Sequence, residues 1–467
     1  MNLRWLLPFL ILVAVAVIGA LLPHQEPLAA TIGGPLDTGD VAWMLAASCL
    51  VLLMTPGLAF FYGGMVRFKN IVSTMLQSFI AMGLVSLIWI LVGFSLAFGD
   101  SLGGDKMGMI GDPSTFFFFN HVGGATHAAL APTIPLILFA IFQLKFAIIT
   151  PALITGAFAE RIRFSAFLLF IVLFTVLIYC PLAHWTWHPN GFLRNWGVLD
   201  FAGGTVVHIS AGFAALAGAI ILGKRKGHGD THEPSNIPFV LLGTGMLWFG
   251  WFGFNAGSSL GANALAAQAF LNTNSASAAA MLAWIFLDGI NGKKPSAMGA
   301  CIGAVVGLVA ITPAAGYVTV GHSVFIGAVA AMISNYAVHL KTKSTLDDTL
   351  DVFPCHGLGG IVGMILTGVF ATTTVNAAGG DGLLFGGTKL FGMHLLALVV
   401  VSAFTFGGSF ILYKVVNFFV PLRVDEDLEE LGLDISQHGE KATDLESPLR
   451  TLLDDQPAKR DLVASWD

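Results

Sequence analysis

The sequence predicts an all-α polytopic membrane protein. Hydrophobic residues make up 55% of the 467 positions and charged residues only 11%, with a mean hydropathy of +0.80. An ordinary soluble domain has about 25% charged residues. Apolar runs of about 20 residues, enough to cross a bilayer, recur along the chain, and clusters of Lys and Arg fall in alternate loops between them. Gly (55) and Phe (38) are abundant, and small residues let membrane helices approach closely.

The chain opens with Arg4, an apolar run from Trp5 to Leu22, then Pro23 to Pro27 and Leu28-Ala29-Ala30. One positive charge, an apolar stretch and small residues match a secretory signal peptide over 1–30, cut near Ala30. The alternative is a retained first helix, because the run is nearly long enough to span. About eleven spans follow, read at 41–66, 72–98, 128–158, 162–184, 203–223, 237–258, 275–290, 297–312, 321–341, 355–372 and 390–420. They make one membrane domain over 40–420.

Basic clusters orient the spans. Arg67 and Lys69, Arg161 and Arg163, Lys224 to Lys226, Lys293 and Lys294, Lys341 and Lys343, and Arg423 all fall on one side. That side should be the cytoplasm, with the mature N-terminus outside the cytoplasmic (inner) membrane and the tail inside. The tail, 421–467, holds 13 acids against 5 bases, so the chain's negative surplus is concentrated there. Nothing in this pattern points to nucleic acid. The four cysteines lie in apolar segments without CxxC spacing, so neither a disulfide framework nor a metal site is implied.

Two histidines, His208 in span 5 and His356 in span 10, sit at bilayer depth. A charge at a helix centre costs about 2.5–3.5 kcal/mol on insertion scales. A matched pair therefore points to a pathway for a proton or polar solute, against the plainer reading of two hydrogen-bonded core histidines. An odd number of spans separates equivalent positions, so spans 1–5 and 6–10 read as an inverted repeat around a central pore.

Several weaker patterns carry nothing further. Gly218 to Arg225 nearly matches a P-loop but lacks the Ser/Thr and sits at a helix end. His228, His232 and Glu233 read as an exposed polar loop. His184 and His188 read as part of an interfacial belt, and Phe116 to Phe119 as a run buried against helix ends.

Three segments are more specific: Asp200-Phe-Ala-Gly-Gly-Thr-Val-Val-His208, Gly250-Trp251-Phe252-Gly253-Phe254-Asn255-Ala256-Gly257-Ser258, and Asp351-Val-Phe-Pro-Cys-His356-Gly. With Gly156 to Phe164 and Tyr62-Gly63-Gly64, they resemble the ammonium transporter family (Amt/Mep/Rh), most of all its bacterial Amt branch, from about Asp40 to Glu440. The resemblance implies a channel rather than an enzyme, with ammonium or ammonia as substrate and no cofactor. It implies outer recruitment by Phe142, Trp187 and Ser258, a gate of Phe146 and Phe254, and a pore lined by Trp251, His208 and His356. Asp200 would be structural, capping the start of span 5. It also implies a homotrimer, a tail that packs under neighbouring subunits, and a PII-type signal protein at the cytoplasmic face. Lys145 departs from the family pattern beside the gate. About 100° of helix rotation per residue turns it away from the pore. Two alternatives stand beside transport: a sensor of the same fold that signals through its tail, and an Rh-like channel for a neutral gas.

Overall fold

A computed structural model describes residues 3–22, 34–104, 108–229 and 233–442. It is helical throughout, and among the described residues the only β pairing is three isolated bridges. An N-terminal helix, Leu3–Leu21, is followed by the eleven expected spans. Ten are long and apolar enough to cross a membrane: Thr38–Met65, Phe68–Phe98, Leu136–Phe158, Phe164–Asn195, Gly204–Leu222, Ile237–Gly257, Ala264–Ile290, Val320–Thr342, Phe353–Phe370 and Thr388–Phe419. The other, span 8, is the 15-residue helix Ala297–Ile311. The segment holding the proposed cleavage point, Ala30, lies outside the described residues, as does the tail beyond Ala442.

Three boundaries differ from expectation. Span 3 starts at Leu136, not 128, because the residues before it turn back through a bridge between His127 and Ala131 and then meet Pro132 and Pro135. Span 4 continues as helix to Trp187 rather than 184, and a separate helical turn, Phe192–Asn195, follows it. Span 7 starts at Ala264 rather than 275, capped by Asn263. Its polar first half depresses hydropathy, yet those groups are satisfied inside the protein. The Asn272 amide donates to the Ala315 and Val318 carbonyls at 2.9 and 2.8 Å, and Thr273 accepts from Asn255 at 2.9 Å. A polar group that is hydrogen-bonded on burial escapes most of its desolvation cost.

The helix of span 8 is shorter than the bilayer core. Fifteen residues rise about 22 Å, against a hydrocarbon core of about 30 Å. It ends at Thr312, where Pro313 supplies no N–H to continue the ladder. The chain then turns before span 9.

Glycine sets the two central crossings. Spans 1 and 6 run antiparallel, and a Cβ on Gly57 or Gly243 would strike the other helix's backbone. Spans 5 and 10 cross antiparallel at Gly212, whose Cβ would overlap Gly357, and at Gly360, which meets Ile209 and the Gly204 carbonyl. Gly212 and Gly360 each stand four positions after a histidine of the pair. That match, with opposed strand direction, is what an inverted repeat requires.

The tail to Ala442 folds back on the basic face of the membrane domain. Arg163 N–H donates to the Leu422 carbonyl at 2.7 Å, and Val424 N–H to that of Arg161 at 3.1 Å. Asp434 accepts from the first N–H groups of span 2, at Val72 and Ser73. Beneath it, buried Glu160 holds Arg67 at 2.6 Å and Arg225 at 3.0 Å. Asp347 takes the other side of Arg225, and His228 approaches it at 3.4 Å. His232, from the same loop, lies outside the described residues. Burial pushes the Glu160 carboxyl up, and the two guanidiniums more than reverse this, leaving it below its ordinary 4.5. Glu160 adopts φ = 72°, a left-handed conformation that costs a non-glycine residue about 1–3 kcal/mol.

Candidate functional site

A continuous line of side chains runs through the middle of the helices. It opens opposite the basic face as a vestibule of about 750 Å³, lined among others by Gln143, Phe146, Thr186, Trp187 and Ser258. Phe146, from span 3, stacks on Phe254, from span 6, with ring centroids 4.2 Å apart and planes 27° apart. Trp187 meets Phe146 edge-on at 5.7 Å. Phe142 is fully buried, packed edge-on against Phe146 at 5.0 Å; Gln143, not Phe142, faces the cavity. Ser258 donates to the Phe254 carbonyl at 2.8 Å. That spends its hydrogen and leaves its oxygen lone pairs as acceptors. Lys145 is half-buried and is not among the vestibule's lining residues.

Beyond the phenylalanines the line is buried and aromatic. Trp251 stacks on His208 at 5.4 Å. His208 Nδ1 lies 3.3 Å from His356 Nδ1, and both rings are buried. Thr312, at the broken end of span 8, accepts from Trp251 Nε1 at 2.9 Å and stands 3.3 Å from His208 Nε2. Past His356 a narrow cavity, lined by residues including Tyr62 and Cys355, leads towards the basic face.

Each histidine sits in a π-helical turn, Gly204–Ile209 and Phe353–Leu358. Such turns are rare and recur at functional sites. Each turn is fixed at its start by an aspartate eight positions ahead. Asp200 accepts from Gly203, Gly204 and Thr205 N–H at 2.7–2.8 Å, and from the Thr205 hydroxyl. Asp348 accepts from Val352 at 3.1 Å and Phe353 at 2.7 Å. Burial pushes both carboxyls up, against these hydrogen bonds, and carries Asp348 to about 6. Replacing either aspartate by alanine should cost about 2 kcal/mol, the upper range for a lost helix cap. Thermal melting in detergent would show it; unchanged melting for both would contradict the capping account.

The nine site residues named from sequence thus fall along one line, with Phe142 behind the wall and Asp200 at the vestibule, against the start of the His208 turn. Sequence reasoning missed Asp348, Gln143 and Thr312. The equal spacing of Asp200 to His208 and Asp348 to His356 was the available signal for the first. A lone Gln in an apolar helix and a lone Thr before Pro gave none.

Comparison with known proteins fits this architecture. A model of the Ammonium Transporter Family matches residues 42–443. The chain is 48% identical to an ammonium transporter of Bacillus subtilis, over 87% of this chain and 99% of that one. It is 48% identical to one of Aquifex aeolicus, over 92% and 100%. The crystal structure of Saccharomyces cerevisiae Mep2 superposes with a TM-score of 0.80 at 36% identity, over 88% and 93%. A solved structure described as a Sensor Amt Protein gives 0.77 at 30% identity, over 86% and 98%. The chain is a multi-pass membrane protein that belongs to the Ammonium Transporter Family.

Proposed function

We propose that the chain is an ammonium channel, which recruits the cation at the vestibule and passes ammonia through a twin-histidine pore. The observation that carries this is the unbroken order of vestibule, stacked Phe146–Phe254 gate and contacting His208–His356 pair. An aromatic face attracts a cation by about 0.5–2 kcal/mol, and the rings of Phe146 and Trp187 border the vestibule. Ser258, and the buried Gln143 Oε1, which has no hydrogen-bond partner among the described residues, can accept N–H groups. Beyond the gate a bare cation is costly. Splitting ammonium into ammonia and a proton lets ammonia cross the buried segment while the imidazoles offer hydrogen bonds; the proton either stays at the vestibule, giving electroneutral flux, or crosses through the histidine pair, giving electrogenic flux. Two adjacent imidazoles titrate as a coupled unit and disfavour double protonation, so the pair holds one extra proton at most. Potassium has no proton to give up and is excluded.

A cation site has no use for a neutral solute, which disfavours the gas-channel alternative. A sensor of the same fold is the second reading, favoured by the likeness to the Sensor Amt Protein. The homotrimer, the export signal over 1–30, the inner-membrane location with cytoplasmic tail, and a PII-type partner on the basic face rest on the family resemblance and the charge pattern.

The test is ammonium-induced current across liposomes carrying purified protein. Wild type should pass ammonium and reject potassium. His208→Ala and His356→Ala should each lose the flux or the rejection. Variants indistinguishable from wild type would sink the twin-histidine pore, and a wild type that binds ammonium but neither carries current nor lets ammonia alkalinise the liposome interior would establish the sensor.

A further inference from the structure

We propose that Thr312 is a positioning residue that fixes the tautomers of the histidine pair. The proposal rests on the twin-histidine reading of the pore and deepens it. The argument is hydrogen bookkeeping around one oxygen. Thr312 has a single hydroxyl hydrogen, and it goes to the Leu308 carbonyl at 2.8 Å, a group that can only accept. Trp251 Nε1 can only donate, and it donates to Thr312 Oγ1 at 2.9 Å. His208 Nε2, 3.3 Å from the same oxygen, therefore meets a lone pair and must carry a proton to bond there.

In neutral His208, a proton on Nε2 leaves Nδ1 bare. Nδ1 faces His356 Nδ1 at 3.3 Å, so the hydrogen between the rings belongs to His356. His356 Nε2 is then the open acceptor of the pair, and it makes no hydrogen bond within the described residues. His356 lines the cavity on the basic side, whereas His208 packs against Trp251 and Phe254 on the vestibule side. A proton arriving at the neutral pair thus adds to His356 Nε2. The proton on His356 Nδ1 can then pass to His208 Nδ1, leaving His356 neutral and His208 charged. The neutral pair exchanges protons through its inner member, and the outer imidazole is held in place by Thr312.

Three observations make this a built arrangement. Thr312 is fully buried. It is delivered by the early end of span 8 instead of the flank of a crossing helix. Its oxygen also fixes Trp251, which stacks on His208.

The test compares Thr312→Val, which keeps the shape and removes the hydroxyl, with Thr312→Ser, which keeps the hydroxyl. The readouts are ¹⁵N shifts of the histidine rings in bilayers and ammonium flux in liposomes. The His208 and His356 signals are assigned by their loss in the alanine variants. Wild type should show His208 protonated on Nε2 and His356 on Nδ1. Thr312→Val should mix or invert the His208 tautomers and lower flux roughly fivefold to tenfold, the scale of one hydrogen bond. Thr312→Ser should preserve both. Wild-type His208 protonated on Nδ1, or a folded Thr312→Val with unchanged tautomers, would overturn the proposal. If the histidine-to-alanine variants impair flux and Thr312→Val does not, the tautomer role alone falls. If those histidine variants conduct like wild type, the twin-histidine reading falls first.

Discussion

Gly212→Val is expected to abolish ammonium flux and to lower thermal stability. Gly212 stands where spans 5 and 10 touch, and even a Cβ there would overlap Gly357 N and Cα. Those are backbone atoms of the His356 turn, so no side chain can swing aside to make room. Overpacking a well-filled interior costs about 1–3 kcal/mol, and here the relief is separation of the helices that carry His208 and His356. Their Nδ1 contact of 3.3 Å would open before the protein unfolds, so flux should fail more sharply than stability. Gly360→Ala is the graded control. Its Cβ would meet Ile209, the Gly204 carbonyl and His208 Cβ at 3.0–3.3 Å, contacts that need a shift of only tenths of an ångström. Liposome flux read beside detergent melting curves separates the two effects. Full flux in Gly212→Val would show that the crossing does not set the histidine geometry.

Glu160→Gln should give the largest loss of stability without touching the pore. Glu160 is fully buried while holding Arg67 and Arg225. Removing one member of a buried ion pair costs about 3–5 kcal/mol, because charge is left behind without its partner. Both arginines keep some solvent contact, which puts the expected loss near the lower end, about 3 kcal/mol. The pH dependence follows from the direction of the shift. A carboxyl whose folded pKa is depressed stabilises the fold above its ordinary value, and that contribution disappears as pH falls through the folded value. The melting gap between wild type and Glu160→Gln should therefore be full at pH 7 and close below the ordinary 4.5. A gap that persists unchanged into strong acid would mean that Glu160 acts through packing alone.

Much of this was legible in the sequence because the bilayer demands long apolar runs. The spans could be placed, and the histidines stood out against them. What escaped notice has physical reasons. Asn272 and Thr273 lowered the hydropathy of span 7, although the fold satisfies both inside the protein. Span 8 was read at 297–312 and ends there, but what Thr312 touches at its end depends on neighbours far away in sequence. Phe142 could be assigned to a recruitment surface by its motif, but which side of span 3 meets the vestibule depends on neighbours far away in sequence. Its neighbour Gln143 took that place. The tail's contacts with Glu160's surroundings and with the start of span 2 join residues more than two hundred positions apart, beyond any local pattern.

The crossing of spans 5 and 10 has one further consequence. A head-to-tail duplication inserted in opposite senses would, if ideal, give a pore identical from both directions. Here the surroundings break that equivalence. One imidazole has Trp251 and Thr312, and its side opens as a vestibule of about 750 Å³; its mate borders a narrow cavity. Microscopic reversibility forbids such lopsidedness from driving net flow, so transport must stop at the same electrochemical balance from either side. What the asymmetry does set is what a solute meets first: a wide mouth lined in part by aromatic rings from one side, and a narrow cavity from the other.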